Sequence, residues 1–379
     1  MAATRRHLGR LAGLVVLLLA APALAPVAST GQPSSTGQPS SAGQAPSANP
    51  WLGRRVLSIA HAGGENEAPH ETLFAYKRAH ALGTDVLEMD VRLTGDGVLV
   101  VHHDADVDAT TDGTGLVADK TYAELFALDH GYKFTLDRWS CGSCPEEDYV
   151  YRGVRTGAKP PPDGYEADDF TIPTLEELFE TFGDTTYYDI EVKDDGPRTS
   201  AAVAELARLI EAHGLEDRTI VVAFDQATVE EFRTLLPDVD TSPGVDGVQQ
   251  FFIDRQPQPD HEILQVPPTY NLNGTTVEVV TPQFVADAHA AGLAVWVWMN
   301  GRSQENADFY AALIDMGVDG ILGAAPSVAR DLIDQLGVGW DGTDPAPPTT
   351  TSTTAPPTDP APATAPGAVA VPASPDYTG

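Results

Sequence analysis

From Leu87 onward, the stretch Val86-Leu87-Glu88-Met89-Asp90-Val91-Arg92-Leu93 alternates between apolar and charged residues. Successive residues of a β-strand point to opposite faces, so Leu87, Met89, Val91 and Leu93 share one face and Glu88 and Asp90 the other. A solvated edge strand needs a polar outer face, and this one is apolar. The apolar face therefore meets helices, and the two carboxylates point together into the interior of the sheet. Like charges about 7 Å apart along a strand are costly to bury unless something cationic compensates. A second stretch repeats the pattern: in Tyr187-Tyr188-Asp189-Ile190-Glu191-Val192-Lys193, Tyr188, Ile190 and Val192 face helices while Asp189, Glu191 and Lys193 face inward. Inward carboxylates from two strands suit one divalent cation, Ca²⁺ or Mg²⁺.

Outward from these stretches, short β-rich runs alternate with helical patterns between 56 and 335. Strands are expected at 56–61, 86–93, 98–103, 186–193, 219–224, 277–281, 294–299 and 319–322. Helices are expected at 71–82, 121–128, 174–182, 200–213, 226–236, 282–291, 303–316 and 326–336. A long Gly/Pro/acidic stretch, roughly 130–172, interrupts the series. Repeated strand–helix units predict an α/β fold, a (β/α)8 TIM barrel. No Gly-rich dinucleotide fingerprint or Walker loop occurs, which removes the main support for a nucleotide cofactor.

The ends read differently. Arg5, Arg6 and Arg10 precede an apolar run at 11–25 and small residues, the pattern of a signal peptide over 1–29. That run is too short to span a bilayer, and the paired arginines admit a twin-arginine route. Residues 30–50 form a Ser/Gly/Gln/Pro linker, 51–338 the barrel domain, and 339–379 a Pro/Thr/Ala-rich tail that lacks the apolar surface to fold. The expectation is a secreted or cell-envelope protein with no integral membrane segment once mature. Cys141-Gly-Ser-Cys144 is the only cysteine pair, and in an exported chain it reads as a small disulfide loop.

Of the 379 residues 42% are hydrophobic, which excludes wholesale disorder. With 22 Lys+Arg against 55 Asp+Glu the formal charge is −33. Such a chain is ill-suited to nucleic acid or an anionic membrane surface, whose phosphates reward cations.

His61 ends the first strand, and His102-His103 ends the run after Glu88 and Asp90. Histidine titrates near neutrality and is the usual proton shuttle. Alternation alone does not choose between His102 and His103. Trp296, Trp298 and Asn300 share the inward face of their strand, where packing or contact with a substrate both fit. Phe251, Phe252, Leu264 and Tyr270 lie in less regular segments, where an apolar cleft for acyl chains is conceivable.

Taken in order, His61-Ala-Gly-Gly64, Pro69-His-Glu-Thr72, Leu87-Glu-Met-Asp-Val91, Val100-Val-His-His-Asp104 and Ile190-Glu-Val-Lys193 resemble the successive motifs of glycerophosphodiester phosphodiesterases. Those motifs run His-Arg-Gly, Pro-Glu-Asn-Thr, Glu-x-Asp, His-Asp and Glu-x-Lys. Val295-Trp-Val-Trp-Met-Asn300 and Val318-Asp-Gly-Ile321 resemble the family's last two strands. The resemblance implies a TIM barrel with an insertion after the early strands, supplied here by about 105–172. It implies His61 and His103 as acid and base, because the family's second histidine immediately precedes an aspartate. It also implies Glu88, Asp90 and Glu191 as metal ligands and Lys193 as a phosphate contact, with Glu71 and Trp298 placed beside the substrate.

Some positions depart from the motifs. Ala62 stands in place of an arginine that contacts phosphate, and His70 in place of the motif's glutamate, with Glu71 beside it to exchange roles. Ala109 replaces an arginine, and Gly323-Ala324 a common Thr-Asp. The expected activity is metal-dependent hydrolysis of glycerophosphodiesters. The rival readings are a lysophospholipase D or phospholipase-like enzyme on lysophospholipids, a non-catalytic binding barrel, and a glycosidase using Glu88 and Glu191. The last leaves both histidines and Lys193 without a task.

Overall fold

The structure, a computed structural model, describes residues 49–136, 138–256, 260–272 and 275–343. Most of the expected linker, the signal peptide and the tail from 344 lie outside the described residues.

Eight parallel strands form the barrel: β1 (Leu57–Ala60), β2 (Val86–Leu93), β4 (Tyr187–Val192), β5 (Thr219–Val222), β6 (Asp240–Thr241), β7 (Ile263–Val266), β10 (Ala294–Trp298) and β11 (Gly320–Gly323). Their order is β6-β5-β4-β2-β1-β11-β10-β7. The seam between the two end strands is drawn together by Glu262 N donating to Thr241 O at 3.2 Å and Gln265 N to Ser242 Oγ at 3.1 Å. Helices α1 (Leu73–Ala81), α3 (Leu175–Phe182), α4 (Thr199–His213), α5 (Gln226–Leu235), α6 (Val245–Asp254), α7 (Pro282–Ala290), α8 (Ala307–Met316) and α9 (Pro326–Leu336) alternate with the strands, and α2 (Tyr122–Phe126) belongs to the insertion. The expected (β/α)8 barrel is therefore present.

Alternation places the side chains as the sequence requires. Leu87, Met89, Val91 and Leu93 join Tyr188, Ile190 and Val192 in one core against Leu178 and Phe179 of α3 and Val203 and Leu206 of α4. The opposite faces of β2 and β4 lie in direct register, Glu88 across from Asp189 and Asp90 across from Glu191. The floor of the barrel interior is apolar: Leu57, Ile59, Val86, Ile220, Ile263 and Trp296 pack together, with Trp51 plugging the N-terminal mouth. Trp51 meets Trp296 edge-on at 5.2 Å between ring centroids.

Two expected strands take other roles. The 98–103 run is β3 (Leu99–Val101), a short antiparallel strand folded back on the far end of β2. The 277–281 run gives β9 (Thr275–Glu278), which forms a hairpin with β8 (Thr269–Leu272) outside the barrel. The barrel positions go instead to β6 and β7, with α6 between them, in the region expected to be irregular. A two-residue strand such as β6 is too short to show a period. Leu264 is fully buried on β7, and Phe251 and Phe252 sit on α6.

The folded part also runs past 338. Trp340 packs on Tyr187 at 5.8 Å, and Asn49 Nδ2 donates to Gly292 O at 2.9 Å. The insertion carries the expected Cys141–Cys144 disulfide. Among the described residues no helix is long and apolar enough to cross a membrane.

Candidate active site

At the C-terminal mouth of the barrel lies a cavity of about 1550 Å³ lined by His61, Glu88, His103, Glu191, Lys193 and Trp298, among others. This is the face where the loops after parallel strands converge, and where barrel enzymes place their chemistry.

β1 delivers His61 directly into a tight left-handed turn: Ala62, Gly63 and Gly64 have φ of 47°, 76° and 95°. A Cβ on Gly63 would lie 2.8 Å from the Cβ of Ala75, so only glycine allows α1 to approach this closely. The turn aims Ala62 N at Glu88 Oε2, 2.6 Å away, which fixes one carboxylate oxygen. Burial pushes the Glu88 carboxyl well above its ordinary range, and the neighbouring Asp90 and Asp189 add to this. His61 Nδ1 lies 3.3 Å from Glu65 Oε1. Burial opposes its charge, but Glu65 and Glu88 outweigh that and hold its pKa well above the usual value.

The histidine chosen by the motif, His103, lines the cavity, whereas His102 is buried with Nε2 3.0 Å from Asp106 O. His103 Nδ1 lies 2.8 Å from Asp104 Oδ1, and Arg92 Nε donates to the His103 carbonyl at 2.9 Å. Arg92 Nη1 also donates to Lys193 O at 2.8 Å, tying the ends of two strands together.

Glu191, at the end of β4, and Asp90, one strand over, share the Lys193 ammonium, at 2.8 Å and 3.1 Å from Nζ. Burial alone would raise Asp90, yet Lys193 and the nearby histidines hold it below the ordinary carboxylate range. Burial raises Glu191, since one shared lysine does not offset it. Asp189 spends both oxygens on Gln265 Nε2 across the barrel, each at 2.8 Å.

Among the described residues, no three His, Cys, Asp or Glu side chains converge closely enough to hold a metal ion as they stand. The cage expected from Glu88, Asp90 and Glu191 is not closed, because the Lys193 ammonium lies between two of its members. Glu71 does not line the cavity. With φ +50° it turns its fully buried carboxylate onto the backbone, accepting from Asp90 N at 2.9 Å and His103 N at 2.5 Å. Lys193 lines the cavity as expected, but with its charge already engaged by two carboxylates.

The model of the Glycerophosphoryl diester phosphodiesterase family matches residues 61–327, well over half of the chain. The chain belongs to this family. A glycerophosphodiester phosphodiesterase of Caldanaerobacter subterraneus is 28% identical over 284 residues, 75% of this chain and all of that protein. A solved structure from Silicibacter pomeroyi shares the fold at TM-score 0.59 and 24% identity, over 78% of this chain and 100% of that one. An Oleispira antarctica phosphodiesterase, solved in complex with the product sn-glycerol-3-phosphate, matches at TM-score 0.56 and 22% identity, over 74% and 97% of the two chains.

Within this phosphodiesterase fold, sequence reading passed over Glu65, Arg92 and Glu305. Glu305 lines the cavity after β10 and accepts from Tyr310 Oη and, at 3.0 Å, from Ala324 N. None of the three stands out by a distinctive motif. Glu65 is the informative one: it lies four residues after His61 and five before His70, and the tight turn brings both to it.

Proposed function

We propose that the chain hydrolyses glycerophosphodiesters to glycerol phosphate and an alcohol, with His61 and His103 as the acid–base pair, and that it works outside the cytoplasm. The observation that carries the reading is the convergence of His61, His103, Glu88, Glu191 and Lys193 on one cavity at the functional face of the barrel. The pattern at 1–29 and the Cys141–Cys144 disulfide support export.

A phosphodiester is anionic and repels nucleophiles, so the attacking group must be deprotonated as it adds and the leaving oxygen protonated as it departs. The glycerol hydroxyl next to the phosphate attacks phosphorus while one histidine takes its proton. The other histidine gives a proton to the leaving alcohol, and a cyclic phosphate results. Water then opens the ring with the two histidines in exchanged roles. Asp104 at 2.8 Å and Glu65 at 3.3 Å each hold one ring nitrogen of His103 and His61, leaving Nε2 of both rings for this exchange.

The donor set fits a hard divalent cation. Asp90 Oδ2 is buried with no hydrogen-bond partner; Glu88 lies two residues earlier on the same strand and Glu191 directly across on β4, both with carboxyls raised by burial. Among the described residues, only Arg92, Lys193 and Arg302 supply permanent positive charge to the cavity wall, against a larger number of carboxylates. Glu88, Asp90 and Glu191 would hold the ion, in competition with the Lys193 ammonium for two of them. When bound it supplies positive charge against the charge that develops on phosphorus oxygens.

A specific observation favours a second reading on the same machinery. The cavity continues beyond the histidines into an apolar wing walled by Val248 and Phe252 of α6, Tyr270 and Val277 of the β8–β9 hairpin, and Trp298. Its total volume is above the roughly 300–1,000 Å³ common for small-molecule pockets. Such a wing fits the acyl chain of a lysophospholipid. Attack by the neighbouring hydroxyl requires that hydroxyl to be unesterified, so 1-acyl substrates fit and diacyl lipids do not.

Choline release from glycerophosphocholine and from 1-acyl lysophosphatidylcholine, with and without EDTA, tests both readings. Chelator-sensitive release from the first is expected, and His61→Ala or His103→Ala should lower kcat at least about 10²-fold with thermal unfolding unchanged. Full activity in either variant would remove that histidine from the mechanism. A higher kcat/KM for the acylated substrate selects the second reading.

A further inference from the structure

We infer that His70 is a positioning residue that ties the two acid–base histidines into one frame, an inference that rests on the phosphodiesterase reading above. His70 is itself buried, its side chain 5% exposed. Its Nε2 lies 3.3 Å from Glu65 Oε2, and the other oxygen of Glu65 is the one beside His61 Nδ1 at 3.3 Å. Its Nδ1 lies 3.2 Å from Glu71 Oε2, the oxygen that accepts from His103 N. That second contact is one of charge rather than an aligned hydrogen bond, since Nδ1 has no hydrogen-bond partner. The chain of contacts runs His61, Glu65, His70, Glu71 and the backbone of His103 without a gap. The His70 ring stands perpendicular to the ring of His103, with centroids 5.9 Å apart, and against Trp139 at 5.5 Å, so it has little room to turn.

A buried carboxylate and a partly buried one, here Glu71 and Glu65, repel across a site unless a cation lies between them. His70 occupies that place. Burial works against its charge, but Glu71 and Glu65 prevail and push its pKa up to about 9, so the ring is an imidazolium at neutral pH. Remove it, and Glu65 loses the contact that holds it toward His61. Glu71 keeps its backbone donors but loses its counter-ion. The acid–base pair would then be present but loosely aimed, which slows the chemical step more than it weakens binding.

Glutamine and asparagine separate the two halves of the frame. A glutamine amide reaches roughly where Nε2 lies and holds Glu65, whereas asparagine reaches roughly where Nδ1 lies and holds Glu71. His70→Ala should lower kcat for glycerophosphocholine about 10- to 100-fold with KM within about threefold. His70→Gln should recover the larger part and His70→Asn less, because only glutamine restores the link to His61. A kcat within about twofold of wild type in His70→Ala, or no recovery in both amide variants, overturns the inference.

Side-chain ¹⁵N resonances of His61 report on the same link without turnover. They should move in His70→Ala and return toward wild type in His70→Gln, and unmoved resonances also overturn the inference. If the wild-type protein turns over neither phosphodiester, the functional reading fails, and the resonances still decide whether His70 frames His61.

Discussion

Glu305 shows how much a single residue can carry without any signal in the sequence. It looks like a surface glutamate in a polar loop, yet it faces the cavity and holds Tyr310 Oη and Ala324 N. Burial pushes its carboxyl from 4.5 up to about 7, against the bonds from Tyr310 and Ala324. Its folded pKa exceeds its unfolded one, so the folded state holds a proton that the unfolded chain has lost. The stability this contributes is complete below about pH 4.5 and is lost as pH rises through about 7. Glu305→Gln removes that titration. The fall in melting temperature between pH 4.5 and 7.5 should be shallower in the variant than in wild type, and identical slopes would show that Glu305 ionises freely in the fold. The inward placement of Glu88, Asp90 and Glu191 was legible because alternation fixes which face of a strand a residue occupies, whereas His61 and His103 were singled out by the order of the motifs. Glu71 was placed against the substrate because sequence spacing says nothing of a φ of +50°, which turns its side chain onto backbone amides instead. Glu65 was missed because its partners meet only through the left-handed turn after His61.

Among the elements, legibility followed length and period. β2 and β4, with clean alternation over six to eight residues, were read with their faces correct. α9 was read to its ends, where Pro326 starts the helix and Gly337 stops it. β6 has two residues and β7 four, lengths at which no periodicity exists, while Thr275–Glu278 has strand-forming residues that serve a hairpin as well as a barrel. The misread stretch is also the one that shapes the apolar wing; of the four residues the sequence offered for an apolar cleft, Phe252 and Tyr270 line the cavity, while Phe251 and Leu264 are buried. α6 turns Val248 toward the cavity and buries Phe251 in the outer core with Phe284, their rings perpendicular at 5.7 Å. A charge at Val248 would therefore face the wing, at the edge of the core that Val248 packs against. Val248→Glu should reduce kcat/KM for 1-acyl lysophosphatidylcholine on the order of 10-fold more than for glycerophosphocholine, because a buried carboxylate is costly against an alkyl chain. Equal losses on both substrates would show that the acyl chain does not enter the wing.

At the scale of the whole molecule, the barrel divides its work between its two mouths. The C-terminal mouth concentrates buried charge, which costs stability, while the N-terminal mouth is closed by aromatic packing. Trp51 is 1% exposed and touches both Tyr187 and Trp296 edge-on, and its Nε1 donates to Asp240 Oδ2 at 2.6 Å. Arg54 lies over the same ring at 4.6 Å and Trp340 closes from the other end of the described chain, so both ends of the fold meet at this plug. Trp51→Ala empties a site that the rigid strand ends cannot collapse into, and it leaves the Asp240 carboxyl without its donor. The expected cost is about 3–5 kcal/mol, seen as a fall in melting temperature of roughly 6–20 °C for a domain of this size. The plug lies at the opposite end of the barrel from His61 and His103. At a temperature where the variant remains folded, kcat/KM for glycerophosphocholine should therefore match wild type. A parallel loss of activity would mean that the interior between floor and cavity transmits strain, and that the Trp296 floor, directly above Trp51, also sets the position of Trp298 two residues along the same strand.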